Sequence, residues 1–85
     1  MSYIIAIFNN KSNTLKYYNM LTKSKVNASV ISTPKVAGFK CGVCVKFEKQ
    51  DYRLAVNLLY SVDISDFVGF YEISKDGVKI ISTRI

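Results

Sequence analysis

The order of hydrophobic and polar positions predicts strands and helices in turn. Residues Tyr3–Phe8 are apolar throughout, which is typical of a central strand buried on both faces. The polar stretch Asn9–Asn13 predicts a turn and contains candidates for a helix N-cap. From Thr14 to Lys25, apolar side chains recur at steps of three and four residues, which predicts a helix. The stripe expected to be buried is Leu15, Tyr18, Leu21 and Thr22.

The remaining segments continue the alternation. The predicted elements are a strand Ala28–Thr33 that ends before Pro34, a strand Gly42–Glu48, a helix opened by Gln50 and Asp51, a strand Asp66–Ser74, and a strand Val78–Thr83 after a hairpin turn at Asp76-Gly77. The second helix is expected to bury Leu54, Ala55, Leu58, Leu59 and Val62. This order predicts an α+β fold in which residues 1–85 form a single domain.

Two right-handed crossovers interleave most simply as a ferredoxin-like βαββαβ sandwich. Both helices then cover one face of an antiparallel sheet, and a fifth strand is added as a C-terminal hairpin. Alternation along the third strand places Val43, Val45 and Phe47 under the helices. Gly42, Cys44, Lys46 and Glu48 then fall on the other face. The first and fourth strands carry bulky residues on both faces, including Phe8, Phe70 and Tyr71. The half-apolar open face is therefore a candidate homodimer surface, unless the fifth strand and the tail cover it.

Composition limits the classes of protein to consider. Of the 85 residues, 49% are hydrophobic, which argues against disorder. The apolar run at the start is too short to cross a bilayer and lacks the features of a signal peptide, so we expect neither. Two cysteines are too few for a disulfide framework. These features together predict a cytoplasmic, reducing setting.

The net charge of +6 is unevenly distributed. No acidic residue precedes Glu48, whereas that first part of the chain carries lysines at positions 11, 16, 23, 25, 35, 40 and 46. Such a basic half is compatible with nucleic acid, an acidic partner protein or an anionic ligand. It is equally compatible with a solvated lysine surface.

The chain has two cysteines, Cys41 and Cys44, and no histidine. Their CxxC spacing would suit a dithiol redox site if a helix followed, but here a strand follows. Residues three apart in a strand point to opposite faces, so a disulfide would require Cys41 to curl back from the loop. Two thiolates complete only half of a tetrahedral zinc site. We therefore expect no bound metal and no cofactor.

A single reactive thiol fits the pattern better. Cys41 follows Lys40, and Lys35 lies in the same predicted loop, so neighbouring ammonium groups would favour the thiolate. Gly38 and Gly42 would allow close approach of a partner backbone. Cys44 falls within the strand, where a cysteine behaves as a small buried hydrophobic residue.

These residues resemble a known family. Pro34-Lys35, a short loop and Cys41-Gly42-Val43-Cys44-Val45-Lys46-Phe47 are similar to the selenium/sulfur carrier-like proteins, which are small bacterial domains. The resemblance covers roughly Tyr3 to Tyr71. It implies that Cys41 holds sulfur or selenium as a persulfide or selenopersulfide and relays it from a donor to an acceptor protein.

The sequence departs from the family pattern at two positions. Lys35 stands where arginine is common, so the charge is kept and the planar fork for anions is lost. Cys44 occupies the small-residue position of the strand, which supports a packing role for it. The hairpin from Ser74 onward lies outside the resemblance.

Other functions remain open at this point. An RNA-recognition module stacks bases on aromatic residues of its third strand, where this chain has Gly42 and Cys44. A weak basic nucleic-acid binder therefore remains only as an alternative, beside a homodimeric interaction or regulatory module with structural cysteines. No paired general base or cofactor motif is present, so we expect a carrier or relay protein and not a self-sufficient enzyme.

Overall fold

The computed structural model describes residues 2–33, 42–61, 66–75 and 77–82, with the backbone alone described for 78–82. Within these residues, the strands and helices follow the predicted order. Their bounds are β1 Tyr3–Phe8, α1 Lys11–Lys23, β2 Ala28–Ser32, β3 Val43–Phe47, a 3₁₀ turn Lys49–Asp51, α2 Tyr52–Leu59, β4 Phe67–Ser74 and β5 Gly77–Ser82.

The strands form one antiparallel sheet with the order β2-β3-β1-β4-β5. The predicted α+β class is therefore confirmed, as is the pairing of a C-terminal fifth strand with the fourth. Gly77 opens β5 with a φ of +117°, a conformation that favours glycine at the hairpin. Asp76, the other half of the predicted turn, lies outside the described residues.

Helix α1 begins three residues earlier than the hydrophobic periodicity predicts. Asn10 is its N-cap, and the Asn10 side chain accepts hydrogen bonds from the backbone N–H groups of Ser12 (2.7 Å) and Asn13 (3.4 Å). Such a cap stabilises a helix by about 1 kcal/mol. The first turn therefore forms from polar residues that carry no hydrophobic signal.

The predicted buried stripe of α1 is wrong at Leu15 and Thr22, which are both exposed. The buried residues are instead Asn13, Thr14, Tyr17 and Leu21. Tyr17 explains the rotation, because its hydroxyl reaches α2 and donates to the carbonyl of Ala55 at 2.5 Å. Burial, with a smaller contribution from Tyr52, raises the pKa of Tyr17, so the hydroxyl stays a neutral donor.

The prediction for α2 is correct in part. Ala55 and Leu59 are buried and Leu58 packs against the core, but Leu54 is 40% exposed. The helix has only eight residues, so it offers little more than two turns to the sheet. Val62 lies outside the described residues.

The two faces of the sheet bury different side chains. The core between sheet and helices contains Ile4, Ala6, Phe8, Tyr17, Leu21, Val26, Val45, Phe47, Ala55, Leu59 and Phe70. On the opposite face, Ile5, Ile7, Cys44 and Tyr71 are buried, with Tyr3, Ile31, Val68 and Ile73 partly buried around them. The predicted alternation along β3 is confirmed, since Val45 and Phe47 lie under the helices and Cys44 lies on the other face. The described part of that second face is therefore closed at its centre, and only its rim is partly exposed.

Candidate functional site

The predicted site lies where β2 ends and β3 begins. Five of its seven residues lie outside the described residues: Pro34, Lys35, Gly38, Lys40 and Cys41. Gly42 and Cys44 are described. The structure therefore describes the strand ends to which the segment 34–41 is attached. We call these residues, Ser32, Thr33, Gly42 and Val43, the loop base.

Backbone pairing holds the two strands together at the loop base. Ser32 pairs with Val43, and one step further the N–H of Thr33 donates to the carbonyl of Gly42 at 3.1 Å. Peptide bonds tie Pro34 to Thr33 and Cys41 to Gly42, so both ends of the segment are held at a paired position. The sheet thus holds the residue next to Cys41 in a defined place.

Gly42 is exposed, and neither its backbone nor its surroundings require a glycine. Its φ is not among the positive values of the described residues, which occur at Lys25 and Gly77. A Cβ built on Gly42 would meet no atom within 4 Å. Among the described residues, Gly42 therefore faces open space on the outside of the protein.

The loop base also contains an unsatisfied polar atom. The Oγ1 atom of Thr33 is buried and has no hydrogen-bond partner among the residues that the structure describes. Alternation along β2 places Thr33 on the same face as Ile31, whose strand partner is Cys44. Sequence reasoning missed Thr33, because a threonine before proline indicates only a strand end, whereas the burial of one atom depends on neighbouring strands.

The N-terminus of α1 lies at the same end of the sheet. Strands β1 and β3 are antiparallel with Ala6 opposite Val45, so Asn9, which follows β1, and Gly42, which precedes β3, lie at the same end of the sheet. Helix α1 starts two residues after Asn9. We call this end, with Asn9, Thr33 and Gly42, the loop end. The partial positive charge of a helix N-terminus is therefore located at the loop end.

Asp66 connects α1 to the start of β4 at this end. Its backbone carbonyl accepts from the N–H of Asn9 at 2.8 Å, and its carboxylate accepts from the Nδ2 of Asn13 at 2.9 Å. These bonds fix the β1–α1 turn against β4. They thereby hold the N-terminus of α1 at the loop end.

Cys44 cannot serve as a surface nucleophile in this conformation. Its exposed fraction is 0%, and it belongs to the cluster formed by Ile5, Ile7 and Tyr71. The structure thus confirms the packing role that alternation predicts for Cys44. Any accessible thiol chemistry must be assigned to Cys41.

The opposite end of the sheet carries an open groove of about 550 Å³, lined by Ser2, Tyr3, Lys46, Glu48, Lys49 and Gln50. The Lys46 ammonium lies 4.5 Å from the centre of the Tyr3 ring, and Lys49 pairs with Glu72 at 3.0 Å. The cations here are thus already engaged within the protein. This groove lies away from the loop end and contributes nothing to the predicted site.

Among the described residues, no group of three or more His, Cys, Asp or Glu side chains is placed to hold a metal ion. None of the helices in this part of the chain is both long and apolar enough to cross a membrane.

The comparison with protein families gives the class of this α+β protein. A family model described as "Putative Se/S carrier protein-like" matches residues 3–68, which include β1 through the start of β4 and the whole segment 34–41. The chain therefore belongs to this family, as the resemblance around Cys41-Gly42 implies. No curated protein and no solved structure gives a significant match.

Proposed function

We propose that this protein carries sulfane sulfur or selenium on Cys41 and relays it between partner proteins. The observation that supports this proposal most is the family match across residues 3–68, which includes Cys41 and its surroundings. The donor and the acceptor are proteins that hold or accept a persulfide. The chain supplies the thiol and the contact surface and does not generate the sulfur itself.

The proposed step is a thiol exchange. The Cys41 thiolate attacks the terminal sulfur of a donor persulfide, R–S–SH, so that a new S–S bond forms and the donor's S–S bond breaks. The products are Cys41–S–SH and the donor thiolate, R–S⁻, and the proton stays on the transferred sulfur. Selenium would be carried in the same way, as Cys41–S–SeH. Delivery is the reverse exchange, with an acceptor thiolate as the attacking group.

The chain around Cys41 suits this exchange. Lys35 and Lys40 would favour the thiolate and hold the anionic adduct by charge. Pro34 would end β2, and Gly38 would shape the loop. The open space beside Gly42 would admit the backbone of a partner, because no described residue beyond its chain neighbours lies within 4 Å of a Cβ built there.

The choice of Cys41 over Cys44 rests on exposure. The accepting thiolate must attack the donor's terminal sulfur along the axis of the donor's S–S bond, so the donor must be able to reach it. Cys44 is fully buried and does not allow this approach. The helix N-terminus at the loop end adds a favourable field for an anion there. The loop cysteine is therefore the carrier, and the strand cysteine packs the second face.

The fold and the setting complete the proposal. Strand order and helix placement fit a ferredoxin-like sandwich with an added C-terminal strand. We propose a cytoplasmic location, where reducing conditions keep Cys41 available for exchange. The protein acts as a relay and not as a self-sufficient catalyst.

Intact mass analysis after incubation with glutathione persulfide tests the proposal. Wild type and Cys44→Ala are expected to gain the mass of one sulfur atom, and Cys41→Ser is expected to gain none. Dithiothreitol should remove the added mass, because it reduces the S–S bond.

Alanine is chosen at position 44 because it keeps that side chain small and apolar within its cluster. Circular dichroism of each variant confirms that it is folded before loading is scored. A sulfur adduct that depends on Cys44, or no adduct on folded wild type, would overturn the assignment to Cys41.

A further inference from the structure

The outward side of α1 carries a cluster of exposed lysines. At 100° per residue, Lys11, Leu15, Lys16, Asn19 and Lys23 lie within one arc, opposite the buried residues Asn13, Thr14, Tyr17 and Leu21. All five are exposed. We call these five residues the α1 outer face.

No acidic residue in the part of the chain that the structure describes forms an ion pair with these lysines. The first acidic residue in the sequence is Glu48, so no acid lies on α1 or on the strands on either side of it in sequence. Among the described residues, the ion pair is Lys49–Glu72, which lies elsewhere. Asp66 does contact α1, but through Asn13 on the buried side. The three lysines of the α1 outer face therefore present their charge to solvent.

An apolar side chain lies between these lysines. Leu15 is 39% exposed, one of three large hydrophobic residues with this degree of exposure among the described residues. Lys11 is one helical turn before it on the same side, and Lys16 is its neighbour in sequence. A leucine flanked by cations suits a partner surface with an apolar pocket bordered by carboxylates.

The α1 outer face is also suitably placed for the proposed relay. Its first residue, Lys11, lies two residues after Asn9 at the loop end. A protein bound along the N-terminal half of α1 would therefore approach the same end of the sheet as Gly42. Orientation of the partner's persulfide toward Cys41 would follow from this docking.

We propose that the α1 outer face docks an acidic partner protein, which is a sulfur donor or acceptor of the relay. This inference rests on the proposed function for the partner's role, but the docking surface is argued from charge and exposure alone. The partner supplies carboxylates opposite Lys11, Lys16 and Lys23 and an apolar pocket for Leu15.

A protein fits this face better than a nucleic acid. Phosphate binding would use the lysines and leave Leu15 without a role, and the face has no arginine for bidentate contacts and no aromatic ring for base stacking. The exposed leucine is therefore the feature that distinguishes the two partners.

An NMR titration of the unloaded, ¹⁵N-labelled protein tests the docking surface. The probes are a synthetic amphipathic peptide in which glutamates flank leucines and, separately, single-stranded oligouridylate. For the peptide, we expect amide shifts concentrated in Lys11–Lys23. The double variant Lys11→Glu/Lys16→Glu should weaken peptide binding about tenfold or more, since two attractions become repulsions.

The matched control has the same change in net charge on exposed residues outside α1. In Arg53→Glu/Lys75→Glu, peptide binding should change less than about twofold, because long-range charge effects are screened by salt. Leu15→Ala should weaken peptide binding about threefold or more at unchanged charge, through lost apolar contact. Glutamate near a helix N-terminus is favourable, so the first variant should keep α1 intact.

Three results would overturn the inference: equal loss in the control pair, no effect of Leu15→Ala, or oligouridylate binding that is tighter than peptide binding. Sulfur loading of wild type by glutathione persulfide is scored separately. A protein that loads but does not bind the peptide through α1 keeps the proposed function and loses the docking surface. A protein that binds the peptide through α1 but does not load keeps the docking surface and loses the proposed function.

Discussion

The two faces of the sheet are closed in different ways. The helix side is filled by aromatic rings: Phe70 lies 6.0 Å from Phe47, 5.2 Å from Tyr52 and 5.0 Å from Phe67 between ring centres. The second face has an aliphatic centre, Ile5 and Ile7, with the thiol of Cys44 beside it. One face is closed by large rings and two helices, whereas the centre of the other contains two isoleucines, a cysteine and one buried aromatic residue, Tyr71.

This difference separates stability from chemistry. The large rings and helices concentrate apolar burial on one side, which is the main favourable term in folding. The second face keeps the sulfur atom of Cys44 inaccessible. Burial in the sheet thereby protects one of two cysteines that lie three residues apart, and the proposed relay uses the other.

The largest effect is expected for Phe70→Ala, which removes the centre of the aromatic cluster. Deletion of a buried phenylalanine ring lowers the free energy of unfolding by about 3–5 kcal/mol. Urea denaturation followed by circular dichroism measures it. Leu54→Ala, at a 40% exposed position of α2, is the control and should cost less than about 1 kcal/mol. Similar losses at both positions would show that the helix-side core does not dominate stability.

The next effect concerns the protection of Cys44. In Cys41→Ser, where Cys44 is the remaining thiol, labelling by Ellman's reagent should be at least about a hundredfold slower in native buffer than in denaturant, because the thiol is exposed only by opening of the fold. Absorbance of the released product gives both rates. Rapid native labelling would show that the second face opens easily and that the two faces are not equally closed.

The smallest effects are expected for two contacts at the end of the sheet opposite the loop end. Lys46→Gln removes the ammonium above the Tyr3 ring and should cost about 0.5–1 kcal/mol. Lys49→Gln removes an exposed ion pair with Glu72 and should cost no more than about 0.5 kcal/mol. Both are measured by urea denaturation. A larger loss for Lys49→Gln than for Lys46→Gln would show that the ion pair stabilises the protein more than the cation–π contact does.

Strand predictions were accurate where burial follows a short, regular period. The bounds of β1 agree with the apolar run Tyr3–Phe8, and alternation along β3 separates Cys44 from Phe47 correctly. A strand has only two sides, so one strong apolar position determines the assignment of its neighbours.

Helix faces were harder to predict, and α1 shows why. Leu15 is more hydrophobic than Tyr17, yet Tyr17 is buried because its hydroxyl has an acceptor on α2. The first turn is likewise set by Asn10, whose side chain replaces missing backbone bonds. Both effects depend on specific hydrogen bonds that a hydrophobic period does not register.

Sequence also indicated one part of the candidate site better than another. The Cys41-Gly42 pair stands out by residue type, and the buried state of Cys44 follows from its strand position. The unsatisfied hydroxyl of Thr33 and the position of the α1 N-terminus at the loop end depend on strand register across the sheet. Information of that kind is not contained in any local segment.

The hydrogen bond between Thr33 and Gly42 makes the segment 34–41 modular. Since its ends are already held together by the sheet, a change in its length alters mainly the entropy of loop closure, by about 0.6 kcal/mol for each doubling. The segment 34–41 can therefore change in length or sequence without rebuilding the sheet to which it is attached. A single backbone contact thus lets this part of the chain diversify independently of the fold.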